Sequence, residues 1–366
     1  MSEPPDAAEL ERLGLYDPDS PDAAARLQLL RRLFEMGVGL DEVVKANSTG
    51  QISDLALDVA LRPPGETMDL DEFIESSDLD GDLVRRLWSA LGFPAKGPVR
   101  VTPDIADAIR FFNGMAGLFQ PDSAFAFARV MGSSSSRLAE ALVSAFRVDV
   151  ELPTIASGDA QTQTQRIEAM MNVVRDLLPL LVDAVNAVFR RHMVLVSYQL
   201  WMPDDQRAAV THQRSVGFAD LVSSTEAVRA ASPGQLAIMV REFEERVWEL
   251  VTDAGGRVVK LIGDEAMFVI EDPTRACDVA LRLVATSPQT VRVGLAHGTV
   301  VALYGDYYGE TVNLAARLVG AADASTVTVS RSVRERAGDA FDFEALPARE
   351  LKGFGDPVTF YRATRR

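Results

Sequence analysis

Two aspartates in the C-terminal half of the chain lie beside short apolar runs that are typical of β-strands. Asp220 follows the run 215–218, and Asp264 lies between the runs 257–261 and 266–270. Carboxylate oxygens are the ligands that Mg²⁺ and Mn²⁺ prefer, and two such ions can activate a hydroxyl and stabilise a leaving phosphate. The two aspartates are therefore candidate ligands for a pair of metal ions.

Each aspartate also has a purely structural interpretation. Asp220 precedes Ser223-Ser224-Thr225, which is typical of a helix start, so its carboxylate could cap that helix. The same turn would present free backbone N–H groups that suit a phosphate. Gly263-Asp264 favours a hairpin, so Asp264 could belong to an ordinary turn. Taken singly, neither aspartate decides between metal binding and local structure.

A third polar stretch carries an amide and a guanidinium at helical spacing. Asn313 and Arg317 are four positions apart within a predicted helix over 308–321, so they share one helix face. Such a face suits a substrate whose transition state gathers negative charge on phosphate oxygens. The alternative is an exposed Arg317 that pairs with Asp306 or Glu310, an interaction worth about 0 to 1 kcal/mol.

Taken together, these stretches resemble the class III nucleotidyl cyclases, specifically the bacterial soluble adenylyl cyclases. The resemblance covers about residues 207–366. In that family two aspartates bind two metal ions, Mg²⁺ or Mn²⁺, and Asp220 and Asp264 occupy those positions. A lysine and an aspartate select adenine, and they match Lys260 and Asp306.

The resemblance extends to the residues that act on the phosphates. An asparagine and an arginine stabilise the transition state in this family, and they match Asn313 and Arg317. A C-terminal lysine contacts the triphosphate, and Lys352 is the candidate. Phe354 stands where related sequences often have a second basic residue. The implied reaction is attack of the ribose 3′-hydroxyl on the α-phosphate, with release of pyrophosphate.

The choice of base follows from hydrogen-bond chemistry. Adenine presents an acceptor at N1 beside a donor at N6, so a lysine donor and an aspartate acceptor complement it, whereas guanine presents the opposite pair. Lys260 with Asp306 therefore favours ATP over GTP as the substrate.

The same family builds its active sites at a head-to-tail dimer interface. Metal ligands come from one subunit, and the residues that recognise the base and stabilise the transition state come from the other. A chain with the full set, as here, implies a homodimer with two sites.

Composition bounds the remaining classes of function. The 366 residues are 47% hydrophobic and carry a net charge of −16, which argues against binding to nucleic acid or anionic membrane. The apolar segment 177–202 is interrupted by polar residues, which argues against a membrane span. The N-terminal residues lack the features of a secretion signal, and Cys277 is the single cysteine. We expect a cytoplasmic protein.

The pattern of apolar and polar residues changes near residue 207. The first part predicts short amphipathic helices at 24–36, 40–45, 52–61, 83–91, 105–119 and 137–146, followed by a long helix over 167–198. The second part predicts strands at 215–218, 257–261, 266–270, 291–297, 300–304 and 326–330, with helices at 234–253, 273–286 and 308–321.

These patterns give an α+β architecture. A mainly α regulatory domain spans 1–196 and includes the long connecting helix, a linker spans 197–210, and the catalytic domain spans 211–366. For the second domain the resemblance implies a ferredoxin-like α/β sandwich of the class III nucleotidyl cyclase type.

The helical domain resembles, more loosely, the N-terminal regulatory modules of some actinobacterial cyclases. This implies control over how two catalytic domains meet, and the alternative is a dimerisation scaffold without a signal. The signal could be a small molecule, a lipid or pH, because His192 and His212 flank the interdomain segment. His297 lies in a predicted strand and is interpreted as structural.

Two other functions remain open from the residues alone. Gly263-Asp264-Glu265 is distantly similar to a signature of diguanylate cyclases, so another metal-dependent nucleotidyl cyclase, guanylyl or diguanylate, is one alternative. The other is a catalytically degenerate nucleotide-binding module that only dimerises.

Overall fold

The structure is a computed structural model, and it describes residues 5–63, 65, 67–95, 99–115, 118–152, 163–200, 211–222 and 231–366. The chain divides into two compact units, Met1–Trp201 and Met202–Arg366. Each unit has its own buried apolar clusters.

The first unit is helical. Its helices are α1 (Ala7–Arg12), α2 (Ala23–Glu35), α3 (Leu40–Ser48), α4 (Ile52–Leu61), α5 (Leu70–Ser76), α6 (Gly81–Ala90), α7 (Pro103–Met115), α8 (Pro121–Phe146) and α9 (Gln163–Leu200). A π-helical turn, Arg147–Glu151, continues α8. All six short helices predicted in this region are present, whereas α1 and α5 were not predicted, and α8 begins well before residue 137. Asp69 caps α5 by accepting a hydrogen bond from the backbone of Glu72.

Two apolar clusters hold these helices together. One joins α1 to α4 with the start of α9, where Ile167 and Met171 are buried. The other joins α5, α6, α7 and the first half of α8 around Trp88 and Phe112. The rest of α9 continues through Pro179 to Leu200, beyond the predicted domain boundary. None of the described helices combines the length and apolarity needed to cross a membrane.

The second unit is built on a mixed sheet. Its strands are β1 (Thr211–Leu221), β2 (Arg257–Ile262), β3 (Glu265–Ile270), β4 (Val291–Leu303), β5 (Asp306–Tyr308), β6 (Val327–Ser330), β7 (Asp342–Ala345) and β8 (Phe360–Thr364). Its helices are α10 (Pro233–Asp253), α11 (Pro273–Thr286), α12 (Glu310–Ala321) and α13 (Arg331–Ala337).

The strand order confirms the predicted ferredoxin-like fold. The chain runs β1, α10, β2, β3, α11, β4, and these four strands lie in the order β2-β3-β1-β4 with antiparallel neighbours. The sheet continues through β6, which is parallel to β4, to β8 and β7. Strand β5 pairs with the far end of β4.

The sheet has a different set of helices on each face. On one face, α10, α11 and α13 pack against Ala219, Phe268 and Leu295. On the other face, α12 packs against Val216, Phe218 and Met267. We call the second the α12 face. Because side chains alternate along a strand, Asp220 shares this face with Val216 and Phe218.

Several predicted boundaries in the second unit were wrong. The runs 291–297 and 300–304 form the single strand β4, because Gly298 stays paired with Arg214 of β1 and does not break the ladder. The helix predicted from residue 308 begins at Glu310, since 306–308 form β5. The strands β7 and β8 and the helix α13 were not predicted.

Close contact between α12 and β4 depends on Gly294. A Cβ atom at this buried position would lie 2.1 Å from the backbone nitrogen of Val319 and 2.6 Å from the carbonyl oxygen of Ala315. Both atoms belong to the helix backbone and have little freedom to move aside. The sheet can therefore hold α12 at this distance only with glycine here.

We predict that Gly294→Ala lowers the free energy of unfolding by about 1 to 3 kcal/mol, because the methyl group displaces α12. Chemical denaturation of the full chain measures the change. Gly320→Ala, in α12 itself, is the matched control, since its Cβ would meet nothing within 4 Å. The control should be neutral or more stable by up to about 1 kcal/mol, as alanine is the better helix former. Equal stability of the two variants would contradict the packing argument.

Candidate functional site

A bulge in the β2–β3 hairpin directs Lys260 to the α12 face. Val258 pairs with Phe268 and Lys260 pairs with Met267, so the register shifts by one residue between them. Without the shift, positions 258 and 260 would share a face. With it, Val258 faces the cluster of α10 and α11, while Lys260 shares the side of Met267.

A tight turn between β4 and β5 presents Asp306. Tyr304 and Gly305 connect the strands, and both have positive φ, 51° and 81°, which is typical of a two-residue hairpin turn of type I′. Asp306 follows directly, and its Oδ1 accepts a hydrogen bond of 2.8 Å from the backbone of Tyr307. The backbone bond fixes the orientation of this carboxylate.

The structure brings Lys260 and Asp306 together. The distance between Lys260 Nζ and Asp306 Oδ2 is 2.5 Å, although the residues belong to β2 and β5, which do not pair in the sheet. Both side chains are about one-third exposed, with relative accessibilities of 35% and 27%. A cationic donor and an anionic acceptor thus lie side by side in a position that solvent and ligands can reach.

Arg257 adds a second connection between β2 and this turn. Its guanidinium donates a hydrogen bond to the carbonyl oxygen of Gly305 and lies 5.2 Å from the centre of the Tyr307 ring. The sequence analysis did not single out Arg257 or Tyr307. Only the register, which places Arg257 opposite Val269 on the α12 face, reveals the contact.

Asp220 lies in a row of charged residues across three strands. In the sheet it is directly opposite Glu265 of β3 and Arg292 of β4. Arg292 binds Asp220 Oδ2 through Nε at 2.7 Å and Nη2 at 2.6 Å. Asp264 is adjacent, since its carbonyl oxygen accepts a hydrogen bond of 3.0 Å from the backbone of Leu221.

Negative charge accumulates in this row. Burial raises the pKa of the Glu265 carboxyl above its usual range, and the charges of Asp220 and Asp264 raise it further, whereas Arg292 opposes the rise. Sequence analysis missed Glu265 as a member of the group, although its position next to Asp264 could have suggested it. Nothing in the linear sequence pointed to Arg292.

The residues present fit divalent metal ions. Three carboxylates with a single arginine leave a surplus of negative charge, which a cation would relieve. Across the described ranges, no group of three or more acidic, histidine or cysteine side chains forms a ready-made cage for an ion. The carboxylates of Asp220 and Asp264 suit Mg²⁺, which is often held by one or two carboxylates, with water and substrate phosphates as further ligands.

Asn313 and Arg317 lie on α12 and are both exposed. Arg317 Nε donates a hydrogen bond of 3.2 Å to the carbonyl oxygen of Lys352, which joins the helix to the C-terminal loop. The ion pair with Asp306 or Glu310 that was considered as an alternative is not formed. Phe354 packs against the apolar cluster beneath α12, so this position has a structural role.

The candidate residues form three separate groups. The first contains Asp220 and Asp264, the second Lys260 and Asp306, and the third joins Arg317 to Lys352, with Asn313 on the same helix. No hydrogen bond or ion pair between the described residues links one group to another. The predicted phosphate turn or helix cap at Ser223-Ser224-Thr225 lies outside the described residues.

His297 lies in the interior, as its structural interpretation predicted. It is buried, and its Nδ1 lies 2.9 Å from Ser215 Oγ. Burial lowers the pKa of His297, as does the charge of Arg336, while Asp272 opposes the shift. Burial also lowers the pKa of His212, and it raises the pKa of the buried Cys277 thiol to about 12, which makes that thiol unreactive.

Comparison with known proteins places the chain in a family. Residues 207–363 match the family described as adenylate and guanylate cyclase catalytic domain. An adenylate cyclase of Streptomyces coelicolor is 33% identical over 269 residues, which cover 71% of this chain and 69% of that protein. The chain belongs to the class III nucleotidyl cyclases.

Two further similar proteins match different shares of this chain. An uncharacterised protein of Mycobacterium tuberculosis is 34% identical over 360 residues, covering 95% of this chain and 92% of that protein, so the helical unit is shared as well. The crystal structure of an adenylyl cyclase from P. aeruginosa is 21% identical, with a TM-score of 0.38, and covers 43% of this chain and 95% of that one. Class III cyclase domains generally use divalent metal ions.

Proposed function

We propose that this cyclase is an adenylyl cyclase that converts ATP to 3′,5′-cyclic AMP and pyrophosphate. The observation that carries the proposal is the contact between Lys260 and Asp306, whose Nζ and Oδ2 atoms lie 2.5 Å apart. This pair offers a donor for N1 and an acceptor for the N6 amino group of adenine. Guanine would place a donor against the lysine and an acceptor against the carboxylate.

The proposed reaction forms a bond between O3′ of the ribose and the α-phosphorus. The bond from the α-phosphorus to the bridging oxygen breaks, pyrophosphate leaves, and the 3′-hydroxyl loses its proton. Arg317 would stabilise the charge that develops on the α-phosphate, because its Nε is held by Lys352 while its two terminal amino groups have no intramolecular partner in the described part of the chain. Asn313 would orient the ribose, and Lys352 would hold the departing phosphates.

Asp220 and Asp264 would hold two divalent ions, Mg²⁺ or Mn²⁺, at each active site. Such ions supply positive charge at the phosphates and lower the pKa of the attacking hydroxyl. Arg292 binds Asp220 Oδ2 and so fixes the carboxylate, and Oδ1, which accepts no hydrogen bond from the described residues, would be the ligand atom. The backbone contact between Leu221 and Asp264 keeps the second carboxylate adjacent to the first.

We further propose that two chains build each site. Among the described residues, no hydrogen bond or ion pair joins the metal group to the base or phosphate groups of the same chain, which supports this arrangement. The helical unit supplies a second argument, because the later part of α8 and most of α9 expose apolar side chains to solvent. These include Leu138, Leu142, Val143, Leu177, Leu180, Val182, Val188, Phe189, Met193 and Leu195. A second copy of the chain would cover such a surface in a homodimer.

The helical unit would also control the enzyme. Its long helix α9 ends at Leu200, shortly before the catalytic unit begins, so a change in the helical unit could alter how two catalytic units meet. The residues before the predicted linker at 197–210 would then form the regulatory domain, and those after it the catalytic domain. A small molecule, a lipid or pH would be the signal.

Product identification tests the proposed activity. The purified full chain, incubated with Mn²⁺ and either ATP or GTP, should form cyclic AMP from ATP and little cyclic GMP from GTP. Asp220→Ala serves as the inactive control. Cyclic GMP or cyclic di-GMP as the main product would indicate one of the alternative cyclases. No product from a correctly assembled dimer would indicate a degenerate module.

Mixing inactive variants tests the shared site. Asp220→Ala and Asn313→Ala should each lose at least about 100-fold in kcat, because Asp220 would hold the metal ions and Asn313 would orient the ribose for attack. Heterodimers of the two should regain activity, since one of their two sites then has both residues intact. Co-purification through two different tags verifies that heterodimers form. Activity no higher than that of either parent would contradict a site between two chains.

Removing the helical unit tests the proposed control. We expect the segment 207–366 and the full chain to differ in kcat by more than about threefold at equal dimer occupancy, because the helical unit sets the arrangement of the catalytic units. Analytical ultracentrifugation gives the occupancy, and circular dichroism verifies that the segment is folded. Equal kcat values at equal occupancy would identify the helical unit as a scaffold without regulatory effect.

A further inference from the structure

We infer that Arg257 is a positioning residue for base recognition, a role that rests on the proposed function. It holds the β4–β5 turn over β2, so that Asp306 stays beside Lys260. Its guanidinium contacts the turn twice, at the carbonyl oxygen of Gly305 and at the ring of Tyr307. The two contacted residues, Gly305 and Tyr307, directly precede and follow Asp306 in the sequence.

The turn needs such support because the sheet does not supply it. Strand β5 has three residues and pairs only with β4. Between β4 and β2 in the sheet lie β1 and β3, so no ladder of backbone hydrogen bonds fixes the distance from Asp306 to Lys260. Within the described ranges, the polar contacts that join the turn to β2 are the Lys260–Asp306 pair itself and the hydrogen bond from Arg257 to Gly305, and the guanidinium of Arg257 also lies over the Tyr307 ring.

The conformation of the turn adds to this need. Tyr304 has a φ of 51°, a left-handed conformation that is unfavourable for a residue with a bulky side chain. Tyr304 is 46% exposed, so packing contributes little to holding it there. Gly305 follows Tyr304 in the turn. The hydrogen bond from Arg257 to its carbonyl oxygen therefore stabilises the turn beside the residue with the least favourable backbone conformation.

Substrate binding makes this support important. The Lys260–Asp306 pair holds the turn only while its two groups bind each other. When adenine takes a hydrogen bond from Lys260 and gives one to Asp306, the direct pair weakens, and the hydrogen bond of Arg257 still joins β2 to the turn. A loose turn would lose more conformational entropy when the substrate binds, and it would discriminate less between the two purines.

We predict that Arg257→Gln raises the KM for ATP by about 3- to 10-fold, as expected for a lost hydrogen bond to a positioned backbone group. The change in kcat should stay below about threefold, since Arg257 would act through the turn that presents Asp306 and not on the reacting phosphate. The ratio of kcat/KM for ATP to that for GTP should fall by about threefold or more. Tyr307→Ala should change the same quantities in the same direction, and the double variant should show less than the product of the two effects.

Arg362→Gln is the matched control. Arg362 is also a strand arginine with two partners, Asp323 and Glu344, but it lies on β8, away from the turn. It should leave KM and the ATP-to-GTP ratio within about twofold of the wild type. Should Arg257→Gln fail to fold, Arg257→Met and Tyr307→Leu replace it, because methionine keeps a long side chain but has neither the donor nor the charge.

Binding of 3′-deoxy-ATP and 3′-deoxy-GTP with Mn²⁺, followed by calorimetry, separates this inference from the proposed function. These analogues lack the attacking hydroxyl, so binding is measured without turnover. A wild type that forms no cyclic nucleotide would refute the proposed function, whereas weaker binding of the adenine analogue to the Arg257 variant would still support the positioning role. An unchanged KM and purine preference, or a loss confined to kcat, would overturn it.

Discussion

The register of β1 between β3 and β4 determines where the polar residues of the catalytic unit lie. It places Asp220 opposite both Glu265 and Arg292, and it puts the three side chains on the face that carries α12. A shift of one residue would turn Asp220 towards the apolar cluster of α10 and α11. The bulge at Val259 has the same importance for β2, because it alone directs Lys260 to the α12 face. Helix α12, which carries Asn313 and Arg317, packs on this face at a distance from β4 that Gly294 permits.

The positions of candidate residues could be predicted where their chemistry coincides with local structure along the chain. Asp220 lies near the end of β1, and Asn313 and Arg317 share a helix face, whereas the roles of these residues stay predictions. The amphipathic helices of the first unit were also predictable, because their buried faces follow helical periodicity. Short elements such as α5 and β5 carry too few residues to establish a period, and they were missed.

The residues that support the site were hidden because they depend on contacts distant in sequence. Arg292 meets Asp220 only through the β1–β4 register, and Arg257 meets Gly305 only through the fold of the turn. A bulge shifts the register by one residue without a clear sequence signal, so the orientation of Lys260 could not be read from alternation. Families of sequences can suggest which residues react, but which residues hold them in place follows from three-dimensional contacts.

Charge balance connects these contacts to the proposed reaction. The chain carries a net charge of −16, yet its substrate would be a triphosphate. The α12 face meets this difficulty by pairing its cations internally, Lys260 with Asp306 and Arg292 with Asp220, and by leaving Arg317 with a single backbone partner. Such pairs keep the cations in place without substrate, and they reduce the cost of desolvating each charge. In the proposed reaction, Lys260 would exchange its partner for adenine with little net change in charge, whereas Arg317 would bind the phosphates, so different cations would serve base selection and phosphate binding.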